Sequence, residues 1–166
     1  MKKQHFIHTM ILLFLILTLL VAMYILSSQN ADHSSKQSHT VTRWILGLFH
    51  PGFSEMEAKL QDKLIKQYDV YIRKAAHFSE FALLGFLLSL LFGRNRKACY
   101  TLLFSSLLSF LCGCADEFHQ HYVSVRGPAF TDVLIDFSGS ISGICLGILI
   151  LFLFYRCRNL DASKEQ

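Results

Sequence analysis

Arg73-Lys74-Ala75-Ala76-His77-Phe78-Ser79-Glu80-Phe81 opens an apolar run that continues to Phe92 with almost nothing polar in it. Arg73, His77 and Glu80 are spaced i, i+4 and i+7, which places all three on one stripe of a helix. Ionisable groups carried into a membrane helix are costly, so they usually face a protein interior and act there. Lys74 is turned by about 100° from that stripe, and its long stem suits it to snorkel toward headgroups.

The rest of the chain reads the same way. Of 166 residues, 52% are hydrophobic and only 17% are charged. The polar residues gather in loops and the apolar ones in blocks, whereas a soluble helical domain alternates them. Four blocks approach the roughly 20 apolar residues that cross a bilayer: 6–26, 75–92, 98–115 and 133–155. The first is longer than the ~7–15-residue core of a secretion signal and has no evident cleavage site, so it is expected to stay as an anchor. Among the cysteines, Cys112-x-Cys114 has the wrong spacing for zinc or redox chemistry, and all five read as packing residues. The net charge of +4 comes largely from short basic flanks. It is a topology signal and gives no support to nucleic-acid binding.

Lys2 and Lys3 precede the first block, Arg94, Arg96 and Lys97 separate the second from the third, and Arg156 and Arg158 follow the fourth. Positive residues favour cytoplasmic helix ends. The expected fold is therefore all-α: a four-helix transmembrane bundle with both termini cytoplasmic and an extracytoplasmic amphipathic helix. Residues 1–155 are expected to form one membrane domain and 156–166 a cytoplasmic tail, whose polar stretch 159–166 is expected to be disordered. In the outer loop, 27–72, the stretch 27–42 is expected to be irregular, and Trp44 suits an interface. After Pro51-Gly52, Ser54 and Glu57 read as a capping box. Met56, Leu60, Leu64, Tyr68 and Ile72 then form an apolar stripe that lies on the membrane or on the bundle.

Two further helix ends carry acids. In the third block Asp116 and Gln120 continue the line of Ser109 and Gly113, with Glu117 beside them. His119 and His121 read as an exposed polar helix end. After the turn signal Val125-Arg126-Gly127-Pro128, Asp132 and Asp136 enter the fourth block one turn apart. Gly139, Gly143 and Gly147 continue roughly their face, and small residues at that spacing let helix backbones approach closely in lipid. The aspartates should then point at another helix. Arg73, Lys74 and Arg126 are three positive charges; Glu80, Asp116, Glu117, Asp132 and Asp136 are five negative ones, a surplus of two. A protonated carboxyl, a protonated His77 or a bound divalent cation would offset it.

Taken in order, Ser27-Ser28-Gln29, Arg73-Lys74-x-x-His77-Phe78-x-Glu80-Phe81, Asp116-Glu117-x-x-Gln120, Arg126 and Asp132-x-x-x-Asp136 with Gly139 resemble the VanZ-like family of bacterial membrane proteins. Phe81 stands where Tyr is frequent, and Asp136 where Asn is common. The resemblance implies a multi-pass protein of the bacterial cytoplasmic membrane. It also implies an association with low-level resistance to teicoplanin and related lipoglycopeptides, and it supplies no reaction.

Two functions follow as expectations. In one, an outward-facing polar pocket binds a lipid headgroup or lipid-linked envelope intermediate, with Arg73, Lys74, Glu117, Gln120, Arg126 and Asp136 as binding groups. In the other, an integral membrane enzyme acts on an outer-leaflet phospholipid or polyprenyl phosphate. The arginines and lysine would hold phosphate, and His77, Glu80, Asp116 and Asp132 are the candidate catalytic groups. A transporter ranks last, because no charge lies in the lower halves of the spans.

Overall fold

The computed structural model describes residues 2–28, 31–93, 97–124 and 130–162. These form five α-helices: α1 (Lys2–Ser27), α2 (Ala31–Phe49), α3 (Ala58–Gly93), α4 (Ala98–Ser124) and α5 (Phe130–Ala162). Four of them, α1, α3, α4 and α5, are long and apolar enough to cross a membrane. They run alternately up and down, so the end of α1, the start of α3, the end of α4 and the start of α5 share one end of the bundle.

Helix α3 is central. Its 36 residues rise about 54 Å, against a hydrocarbon core of about 30 Å. Its first half must therefore stand clear of the apolar layer, and its composition agrees, because residues 58–74 carry nearly all of the helix's charge. Here the structure departs from the sequence reading. The amphipathic stretch and the second span are one unbroken helix, and 31–42 is the first part of α2 instead of an irregular loop. Thr42 and Leu46 of α2 are buried, the latter in a small core with Phe53 and Ile65. That docking supplies the packing energy that the polar α2 sequence lacks on its own.

The capping box also yields. Ser54 lies in a 3-10 turn at Phe53–Glu55, entered through Gly52 at φ 75°, a left-handed conformation that suits glycine. Helix α3 starts later, with the Glu57 carbonyl accepting the first bonds from Leu60 and Gln61, and the Gln61 side chain donating back to Phe53 O at 2.9 Å. The buried line of α3 is Ile65 and Asp69, while Leu60 and Tyr68 face outward, so the expected stripe is correct in period but rotated. At the other terminus, Asn159–Ala162 continues α5 as helix where a disordered tail was expected. The remainder of that tail, the 125–128 turn signal and Gln29 lie outside the described residues.

The main contact is α3 against α5. A Cβ on Gly139 would overlap the Phe78 carbonyl, one on Gly143 the Ala82 carbonyl, and one on Gly85 the Ser140 carbonyl. The glycine stripe thus serves packing within the chain. Ile16 and Met23 of α1 close a core with Phe81, Leu84, Leu87 and Leu88 of α3. Helix α4 turns Thr101, Ser105 and Ser109 inward, all buried, and Leu103, Leu107 and Leu111 outward. Small polar residues inside and large apolar ones outside are the arrangement lipid selects.

Candidate functional site

The three acid-bearing helix ends meet. One ligand atom each from His77 of α3, Asp116 of α4 and Asp136 of α5 lies within 4.8 Å of the other two. Beside them opens a cavity of about 60 Å³, a few water molecules' worth of space. Arg73, Lys74 and His77 line it from α3, Glu117 and Gln120 from α4, and Asp132 and Asp136 from α5, with Val70 and Ile135 as its apolar walls.

Close helix packing explains the convergence. The glycine contacts bring α5 so near α3 that Asp136, one turn before Gly139, has no route to lipid, and it is buried. Gly113 of α4 leaves the space opposite: a Cβ there would sit 3.8 Å from the Asp136 Cβ and 3.7 Å from the Phe81 ring. Gln120 donates to Asp116 Oδ2 at 2.7 Å, which fixes the orientation of that carboxylate. Glu80 Oε2 approaches His77 Nδ1 to 4.0 Å from one turn further into the span, too far for a hydrogen bond. His77 Nδ1 is buried with no hydrogen-bond partner among the described residues.

The cations at the mouth are engaged. Lys74 Nζ lies 3.1 Å from Asp132 Oδ1; it bridges α3 to α5, where the sequence suggested snorkelling. Arg73, which also lines the cavity, has its Nε 3.2 Å from Asp69 Oδ2. Asp69 was absent from the sequence-derived set. Its buried carboxylate also accepts from Thr42 Oγ1 at 3.2 Å and faces His39 Nε2 at 3.8 Å, both on α2. The available signal was its position four residues after Ile65 and four before Arg73, in phase with the buried line. His119 is likewise no exposed helix end. It shares a 2.9 Å hydrogen bond with Ser28 Oγ and packs its ring 4.7 Å from that of Tyr24, tying α4 to α1. Arg126 and the side chain of His121 lie outside the described residues.

A model of the VanZ/LLP1 family matches residues 12–155, most of the chain. The chain belongs to the VanZ/LLP1 family. No curated protein and no solved structure matches it. This VanZ-like protein is accordingly a multi-pass membrane protein, and Ser28, one of its resembling motif positions, has a structural task in docking α1 on α4.

Proposed function

We propose that this VanZ-like protein holds the phosphate-bearing headgroup of an anionic lipid or lipid-linked envelope precursor at the outer face of the bacterial cytoplasmic membrane. The observation that carries this reading is the position of Arg73 and Lys74 on the rim of a cavity at one end of the span bundle. That is the depth at which a headgroup lies, and Arg and Lys are the residues suited to its phosphate. The cavity is too small to enclose a headgroup, so the phosphate enters the mouth and the rest stays at the interface. The basic flanks at Lys2, Lys3 and Arg156 support cytoplasmic termini, and in that orientation the cavity opens outward. A lipid precursor held there is altered as a target for teicoplanin-type lipoglycopeptides.

The cluster of His77, Asp116 and Asp136 favours a second reading, an enzyme acting on an outer-leaflet phospholipid or polyprenyl phosphate. A histidine between carboxylates is equipped for proton transfer. Arg126 belongs to the phosphate-holding set under either reading.

Native mass spectrometry of protein released from mixed anionic and zwitterionic bilayers tests binding. Anionic lipid should be retained preferentially, and Arg73→Gln with Lys74→Gln should lower retention roughly tenfold, as expected for losing charge-assisted bonds. Equal retention by the double variant would reject the headgroup reading. For the enzyme, His77→Gln should abolish a lipid product in cell lipid profiles while retention survives.

A further inference from the structure

We propose that the deep end of the cavity holds one divalent transition-metal ion, bound by His77, Asp116 and Asp136. Each of α3, α4 and α5 supplies one donor, and the three donor atoms already lie within 4.8 Å of one another. Donors about 2.1 Å from a shared ion stand roughly 3.4 Å apart in tetrahedral geometry. Small side-chain rotations close the difference.

Two observations independent of the clustering point to a missing partner. Asp136 is 4% exposed, and no hydrogen bond or ion pair to its carboxylate is found among the described residues. His77 Nδ1 is buried and has no hydrogen-bond partner among the described residues. A buried carboxylate is normally paired or coordinates a metal, and a buried polar atom without a partner calls for an explanation. The described cations do not supply one, since Lys74 and Arg73 turn to Asp132 and Asp69. Glu80, Asp116 and Asp136 are left around His77 without a Lys or Arg partner among the described residues. A doubly charged ion offsets that concentration of negative charge.

The donor set selects the ion. Calcium takes six to eight oxygens and magnesium keeps most of its water, whereas an imidazole with two carboxylates suits zinc or manganese. Three protein ligands leave a position open toward the cavity, which has space for a water molecule or a phosphate oxygen. The hydrogen bond from Gln120 to Asp116 acts as outer-shell support. The proposal shares its cavity with the headgroup reading but needs no lipid.

The test uses full-length protein in detergent, stripped with a chelator and offered Zn²⁺ or Mn²⁺ alone against excess Mg²⁺. Elemental mass spectrometry should find about one ion per chain, as a single site requires. Asp136→Asn and His77→Gln should each lower that content at least tenfold, while the surface control Asp62→Asn leaves it unchanged. X-ray absorption of the zinc-loaded wild type, which needs no variant to fold, should show imidazole and oxygen donors and no sulfur. Substoichiometric metal, sulfur donors from the cysteines, or full metal content in Asp136→Asn would overturn the proposal. Retained anionic lipid without metal would defeat this inference alone; metal binding with lipid retention insensitive to Arg73 and Lys74 would defeat the headgroup reading alone.

Discussion

Arg73 reaches back one helical turn to Asp69, its Nε 3.2 Å from a carboxylate that is only 4% exposed. The same carboxylate takes the hydroxyl of Thr42, so one buried acid joins the extramembrane α2 to a residue of the cavity rim. Removing one partner of such a network leaves the others buried and unsatisfied. Asp69→Ala should destabilise by about 1–3 kcal/mol, and Thr42→Val, which keeps the volume, by about 1 kcal/mol. Thermal unfolding in detergent should rank the two in that order.

Lys74 and Asp132 present the opposite case. Each is 41% exposed, so the pair is worth at most about 1 kcal/mol of stability. Lys74→Gln should melt close to the wild type yet lose anionic-lipid retention. A variant that unfolds instead would show that the bridge from α3 to α5 is structural.

The glycine contacts separate by the nature of the atom met. At Gly143 the obstacle is the Ala82 backbone, and at Gly147 it is the Ser89 hydroxyl. Gly143→Ala should force α5 away from α3 at a cost of roughly 1–3 kcal/mol, as overpacking does, with no single-residue rescue. Gly147→Ala should be milder, and Ser89→Ala should largely rescue it. Melting temperatures of the singles and the double give the coupling directly.

The hydrogen bond of His119 with Ser28 and the ring contact with Tyr24 hold the end of α1. His119→Ala should speed amide exchange in the last turns of α1, with little change in the core of α3 near Phe81 and Leu84. Uniform acceleration through all helices would instead mark a global loss of stability.

The spans, their alternation and the inward aim of Asp136 were legible because lipid imposes simple rules; that His77, not Glu80, comes closest to Asp116 and Asp136 was not. Apolar length marks a span, short loops make neighbours, and Gly139 and Gly143 indicate which face of α5 is covered. Outside the apolar layer those rules lapse. Asp69 sits among lysines on what reads as a solvated helix, and only α2 packing over it makes it a buried acid. Residues 31–42 carry little helix signal of their own; Leu46 packing with Ile65 decides their conformation. Ser54 looked like a cap because its local pattern fits one, but Pro51-Gly52 feeds a 3-10 turn and moves the helix start onward. The partners of Arg73 and His119 are set by tertiary neighbours that local spacing does not encode.

Helix α3 carries neither proline nor glycine between Ala58 and Leu84, so that stretch has none of the usual breaking points of a long helix. Its projecting half runs without interruption into the first turns of its intramembrane half, past His77 and Glu80. The packing of α2 on Ile65 and Asp69 is thereby joined through continuous backbone to Arg73, Lys74 and His77 at the cavity.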